Sequence, residues 1–189
     1  ARKRAPFPGD LSSARSRGIV LHFFANHELL ALELMALMLL RFPDAPRPFR
    51  RGLAATMRDE QRHLSLYLDR MADFSVQLGE IPVNDFFWRT LSTADSPAAF
   101  SAGMSLTFEQ ANLDHALFYQ GQFARAGDAE TAALLGQVYE DEVAHVRQGV
   151  RWLRRWKPEG LDDWSAFTAL LQPPMTCLLY TSDAADEHS

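Results

Sequence analysis

A single cysteine, Cys177, in 189 residues leaves no disulfide framework and no thiolate metal site. Any metal must then be held by carboxylates and imidazoles, a donor set that suits iron or manganese better than structural zinc. Apolar runs stop short of the roughly 18 uncharged residues of a membrane span; the longest, Leu29 to Leu40, is broken by Glu33. No charged-then-apolar leader opens the chain, so a cytoplasmic location with no membrane contact is expected. No stretch alternates apolar and polar residues as a half-buried strand does, so the expected class is all-α. Neither sign of charge dominates. The net charge is −5, and Asp183, Asp186 and Glu187 supply three of those charges, leaving about −2 elsewhere. That balance does not indicate a dedicated nucleic-acid binder. Apolar residues make up 47% of the chain, enough for one domain with a sizeable core.

Punctuation residues divide the chain into helices. Residues 1–11, with Arg2, Lys3 and Arg4, read as a flexible basic arm. Asp10, Ser12 and Ser13 are candidate N-caps for a first helix that runs to about Phe42, before Pro43. Its apolar positions cover nearly every face, as in a well-buried helix. A second helix is expected from about Pro48 to Leu78, ended by Gly79. Residues 80–95 form a long connection whose aromatic cluster, Phe86, Phe87 and Trp88, is expected to pack as linker. Ser96-Pro97 opens a third helix reaching Ala126, and Asp128 caps a fourth that ends near Trp156. A short fifth helix spans about Asp162 to Leu171. The domain is thus drawn at 12–172.

Inside this scheme one pattern occurs twice. Asp59-Glu60-Gln61-Arg62-His63 and Asp141-Glu142-Val143-Ala144-His145 are both Asp-Glu-x-x-His. Residues three apart share a helix face, so each run presents a carboxylate beside an imidazole. Two such half-sets plus one glutamate from each of two further helices make a dimetal-carboxylate site. Depth selects those glutamates. Glu28 and Glu60 lie at similar distances from the first turn, whereas Glu33 would be offset by about 7.5 Å and turned roughly 140° away. Glu109 and Glu142 are matched about Gly127 in the same way, at a spacing of 33 residues against 32 for the first pair. The candidate ligands are therefore Glu28, Glu60, His63, Glu109, Glu142 and His145. Four carboxylates converging in a core would cost several kcal/mol each unless cations neutralise them. Asp59 and Asp141 are candidate partners of the histidine N–H groups; Asp59 could serve His63 on its own helix or His145 on the other. Tyr139, one turn before Glu142, is a candidate neighbour of the metals or a core tyrosine. His22, His27 and His115 read as ordinary packing residues. Arg147, Arg151, Arg154, Arg155 and Lys157 suit the fourth helix's dipole, and give a faint pointer to an RNA or phosphate partner.

The runs HFFANHELLALELMALMLLRFPDAP, FRRGLAATMRDEQRHLSLYL, IPVNDFFWR, LTFEQANLDHALFYQ and VYEDEVAHVRQGVRWLRRW resemble a bacterial ferritin-like family, domain of unknown function 455, over about residues 18 to 157. The resemblance implies a ferritin-like four-helix bundle, and the six candidate ligands match that superfamily's pattern. The connection 80–95 is long enough to cross the bundle, the one-crossover topology of such folds, although length alone leaves an up-down-up-down order open. The superfamily includes ferroxidases, rubrerythrin-like peroxide reductases and a tRNA hydroxylase.

The expected function is that of a non-haem di-iron oxidoreductase, with two iron ions (or manganese, or a mixed pair) reacting with dioxygen or peroxide and an unidentified substrate. The alternatives are iron oxidation and storage, and a non-catalytic helical module that its metals stabilise. A homodimer is a further expectation. From Cys177 to Glu187 the chain looks like a translated sequencing adaptor joined to a truncated frame, so residues 173–189 are set aside as a non-native or disordered tail.

Overall fold

A computed structural model describes residues 10–171 and Met175, and every regular element among them is helical. The elements are α1 (Ala14–Arg41), α2 (Arg47–Asp73), α3 (Phe86–Leu91), α4 (Pro97–Gly103), a π-helical turn (Met104–Phe108), α5 (Glu109–Arg125), α6 (Ala129–Trp156) and α7 (Asp163–Leu170). The expected caps form. Ser13 accepts from Ser16 N–H at 3.0 Å, Ser96 from Ala99 N–H at 3.1 Å, and Asp128 from Thr131 N–H at 3.0 Å.

Two boundaries differ from expectation. α2 stops at Asp73, well before Gly79. Ser75 takes the left-handed conformation, φ 55°, and the N–H groups of Ser75 and Val76 close back on the carbonyls of Ala72 and Met71. That is a Schellman closure, with Val76 and Met71 supplying its apolar contact in one buried cluster. Gly79 instead serves a later turn, where its N–H donates to His22 Nε2 at 3.0 Å. The third long helix is also not continuous. Its middle turn is π-helical, and the Glu109 N–H donates to Met104 O, five residues back. Thr107 Oγ1 bonds the Ala102 carbonyl at the same five-residue step. Gly149 of α6 lets this wide turn come close, since a Cβ there would lie 2.5 Å from Ser105 Cβ. The aromatic cluster of the connection forms α3, with Phe87 buried against His27 and Phe108 at ring distances of 4.7 and 4.1 Å.

Side-chain pairs give the helix directions. Phe24 of α1 stacks on Tyr67 of α2, and Gly18, one and a half turns earlier, faces Val76, so α1 and α2 are antiparallel. Arg17 reaches the Ala126 carbonyl and Phe24 meets Tyr119, so α5 is antiparallel to α1 as well. α2 and α5 therefore run the same way, and residues 74–96 must return along about 40 Å of helix, the length of 27 residues, to join them. α6 opposes α2, with Arg70 on Asp128 at one end and Phe49 on Trp152 at the other.

Two apolar clusters form the core. One contains Val20, Leu21, Phe24, Tyr67, Phe123 and Leu135; the other contains Met35, Phe49, Leu53, Phe100, Trp152 and Phe167. Each such side chain contributes roughly 1.5–3 kcal/mol on burial. Chain order places Glu28, Glu60, Glu109 and Glu142 between the two clusters. Packing also extends beyond the expected domain limits: Leu11, drawn as arm, and Met175, drawn as tail, are both buried. Residues 1–9, 172–174 and 176–189 lie outside the described residues. α1 also qualifies the expectation that no stretch could span a membrane. By length and composition it could, with a mean hydropathy of 1.5 over its most apolar window. Less than half of that window, 44%, is buried against the rest of the chain, and the helix carries the buried Glu28.

Candidate metal centre

The four long helical stretches each bring one glutamate to a common layer. Glu28, Glu60, Glu109 and Glu142 are at most 1% exposed, His63 is fully buried and His145 is 5% exposed. Glu33 faces solvent. On α6 the buried stripe runs Leu135, Val138, Glu142, His145, Gly149, the spacing that keeps one face inward. α2 does the same with Leu53, Thr56, Glu60, His63 and Tyr67.

The six residues form two overlapping sets. Glu28, Glu60, His63 and Glu142 offer ligand atoms that all lie within 4.8 Å of one another, and so do Glu60, Glu109, Glu142 and His145. Glu60 and Glu142 belong to both sets. Each set is three carboxylates and one imidazole, which is the composition of a site for a hard or borderline divalent cation.

The histidines are oriented by the opposite helix. His63 Nε2 lies 3.1 Å from Asp141 Oδ2, and His145 Nε2 lies 3.3 Å from Asp59 Oδ2. Asp59 therefore serves His145 across the helix pair, not His63 on its own helix. Both Nδ1 atoms face inward, His63 toward Glu60 at 3.3 Å and His145 toward Glu142 at 3.2 Å. Arg62 donates to Asp59 at 3.0 Å and to Asp141 at 2.9 Å, so one guanidinium ties both aspartates. The matching position on α6 is Ala144, whose short side chain leaves that space to Arg62.

Electrostatics follow from this crowding. Burial pushes Glu28 well above the ordinary carboxyl range, and Glu60, Glu142 and Glu109 push it the same way. Burial, then Glu109 and Glu60, raise Glu142 likewise. Burial also acts to raise Glu60, but the bonds from His145 and His63 outweigh it and hold Glu60 low. Burial alone would lower both imidazoles. Glu60, Asp141 and Glu142 raise His63 instead, and Glu109, Glu142 and Glu60 raise His145. This is a cluster that takes up positive charge, as protons or as metal cations. Both oxygens of Glu28 and Oε1 of Glu109 are buried and accept no hydrogen bond among the described residues. Acceptors so placed are costly unless something cationic or protic meets them. The residues present thus fit a pair of bound cations.

Three contributors lie outside the sequence reading. Asn112 Nδ2 donates to Glu142 Oε1 at 3.2 Å; it follows Glu109 by three residues, the same spacing that picked out the histidines. Arg62 sits inside the first motif. Tyr67, two turns after Glu60, is fully buried with no partner for its hydroxyl among the described residues. Burial raises its phenol well above the usual value, and the charges of Glu28, Glu142 and Glu60 add to this. The tyrosine at the cluster is thus Tyr67. Tyr139 is half-buried and makes no bond to the six residues among those described. His22, His27 and His115 stay outside both ligand sets: His22 accepts from Gly79, His27 packs on Phe87 and His115 meets Phe23 edge-on.

A family model described as protein of unknown function (DUF455) matches residues 1–181, which takes in the start of the adaptor-like stretch. No curated protein and no solved structure matches the chain.

Proposed function

We propose that the chain, which belongs to the DUF455 family of proteins of unknown function, is a ferritin-like protein whose carboxylate–histidine layer binds a pair of iron ions and reduces a small oxidant. The observation that carries this reading is the sharing of Glu60 and Glu142 between the two ligand sets. Two separate mononuclear sites would need no shared residue, whereas a pair of ions held a few ångströms apart does. The parallel run of α2 and α5, with its long return connection, supports the one-crossover bundle in which such layers are built.

Glu28 and His63 would complete the ligand set of one ion, and Glu109 and His145 that of the other. An iron pair supplies two electrons to an oxidant and recovers them from a reductant. The remaining work belongs to the chain. Asp141 and Asp59 accept the Nε2–H of His63 and His145, which fixes the tautomer that leaves Nδ1 free on the inward side. Arg62 donates to both aspartates and holds them in place. Asn112 fixes one oxygen of the shared Glu142. The Tyr67 hydroxyl, kept neutral by its surroundings, is available as a hydrogen-bond donor inside the layer. The two apolar clusters keep bulk water away from the reacting atoms.

The test is an anaerobic Fe(II) titration followed by oxidant, watched by absorption spectroscopy with elemental analysis. Binding should saturate at two iron ions per chain, and oxidation should stop there until a reductant is supplied. Oxidation that continues to tens of ions per chain, in a particle of hundreds of kilodaltons, would instead identify a storage protein.

A further inference from the structure

The outer face of the α2–α6 pair carries six exposed arginines in two stripes. On α2 they are Arg47, Arg51 and Arg58; on α6 they are Arg147, Arg151 and Arg155. At about 100° per residue, all six lie within roughly 40° of the point opposite the inward Glu60 or Glu142 of their own helix. Contacts across the pair set their level. Phe49 meets Trp152 and Trp156 at ring distances of 5.3 and 5.0 Å, so the start of α2 stands beside the end of α6. Gly52 brings the helices close, since a Cβ there would lie 2.6 Å from the Gln148 amide nitrogen. The two stripes therefore share one surface.

None of the six forms an ion pair among the described residues. Arg58 donates to the Ala54 carbonyl of its own helix at 3.2 Å, and Arg155 lies over the Trp152 ring. Several basic side chains elsewhere are matched: Arg15 with Glu80, Arg89 with Asp85, and Arg154 and Lys157 with Asp163. The acids beside the stripes, Asp59 and Asp141, are already bonded to Arg62.

Folding does not account for this arrangement. Cations suit the C-terminal end of α6, but they are unfavourable at the N-terminal end of α2, whose first turn holds no acid. Like charges four residues apart repel, as Arg47 and Arg51 do, and as Arg147, Arg151 and Arg155 do. Antiparallel packing sets the stripes side by side, so the repulsion recurs across the pair. A chain of net charge −5 thus gathers on one face positive charge that its own acids leave unmatched.

Independently of the proposed metal function, we infer that this face binds the phosphate backbone of a nucleic acid, without regard to base sequence. Four residues along a stripe rise about 6 Å, close to the interval between successive phosphates of a strand. All six residues are arginine, whose planar fork bonds phosphate oxygens in pairs. The stripes extend over about 16 Å of α2 and about 12 Å of α6, too far to converge on one small phosphate. A protein partner or a bilayer would call for apolar anchors on the face. Of the large exposed apolar side chains among the described residues none is on α6, and the one on α2, Leu68, lies about 15 Å beyond Arg58. The face also offers no exposed aromatic ring on which a base could stack. Contact therefore rests on phosphate charge alone.

The test is fluorescence anisotropy of labelled RNA and DNA duplexes, titrated with the full chain at several salt concentrations. Dissociation constants on the order of 1–100 μM are expected near physiological salt. The logarithm of the binding constant should fall with that of salt at a slope of about −5, six phosphates being neutralised. Duplexes of different base sequence should bind alike. Arg51→Gln combined with Arg151→Gln should make the slope shallower by about 2. It should also melt no lower than wild type, because repulsion is relieved. Arg15→Gln combined with Arg125→Gln removes the same charge at the opposite end of the bundle, and should leave affinity and slope unchanged. No binding at low salt, a slope that the face variant does not alter, a lower melting midpoint in that variant, or equal effects of the two double variants overturns the inference. Tighter binding to phosphatidylserine vesicles, or displacement of the duplex by polyglutamate at equal charge, overturns it too, and would identify a membrane or an acidic protein as the occupant. Chelated protein should bind as loaded protein does, so a failed metal titration leaves this result standing.

Discussion

Replacing Glu28 by methionine should move stability in opposite directions in the metal-free and metal-loaded protein. Glu28 is wholly buried, and neither of its oxygens accepts a hydrogen bond among the described residues. A buried polar group without a partner costs about 1–3 kcal/mol. Methionine has a similar length and volume and carries no such cost, so metal-free Glu28→Met should be more stable than wild type by about 1–3 kcal/mol. For a domain of this size that is a rise of roughly 2–4 °C in melting midpoint per kcal/mol. The loaded protein should behave oppositely. Saturating metal stabilises the wild type by about 2.7 kcal/mol at a hundred times the dissociation constant of one site. The variant retains Glu60, Glu109, Glu142 and His145, and should keep only that set's ion. Glu60→Ala, which strikes both sets, should lose both. The assay is calorimetric melting after chelation and after cobalt or iron loading, with elemental analysis of each sample. A metal-free Glu28→Met protein less stable than wild type would refute the account of Glu28 as an uncompensated acceptor. Two ions per chain in that variant would refute the division of ligands.

The titration of the layer gives a second prediction. Glu28, Glu142, His63 and His145 are all raised. The folded metal-free state therefore holds more protons than the unfolded chain above about pH 4.5, where the glutamates' ordinary value of 4.5 is passed. Metal-free stability should fall as pH rises through neutrality, while metal affinity should rise over the same range because cations displace those protons; urea melts and metal titrations at several pH values check both signs. Asp128 behaves in the opposite sense. Burial works to raise it, but bonds from Thr131 and Arg70 outweigh that and hold it below its ordinary value of 3.8. Its contribution should be complete above pH 3.8 and vanish as pH falls through its lower folded value. Asp128→Ala loses the α6 cap and one partner of Arg70, which keeps Asp73, and should cost about 2 kcal/mol in denaturant melts at neutral pH. Met175→Ala should cost roughly 2–5 kcal/mol in the same assay, since Met175 is buried against Gly103; a cost below about 0.5 kcal/mol would show that this end of the chain adds nothing to the core.

The convergence of the carboxylates and imidazoles was legible in the sequence because its constraint is periodic. Glutamate and histidine three residues apart share a helix face, and equal distances from a tight turn share a depth, so spacing alone located Glu28, Glu60, His63, Glu109, Glu142 and His145. The same rule, applied one step further, reaches Asn112 from Glu109 and Tyr67 from Glu60. Their side chains are common packing types, and nothing in their spacing marks them out from ordinary core residues. The crosswise pairing of Asp59 with His145 and Asp141 with His63 depends on the angle at which α2 meets α6, which is a tertiary quantity. Helix ends were read less well, for a local reason. Gly79 does take a positive φ, 85°, but in a later turn; α2 closes earlier, at Ser75, where closing buries Val76 against Met71. The π-helical turn had no sequence mark at all. It arises where Gly149 allows α6 to approach Ser105, and the helix resumes at Glu109. A continuous α-helix through 104–108 would need one residue fewer between the α4 packing face and the ligand. The extra residue is thus what lets α4 pack on Leu91 and Met175 while Glu109 still reaches the buried carboxylate–histidine cluster.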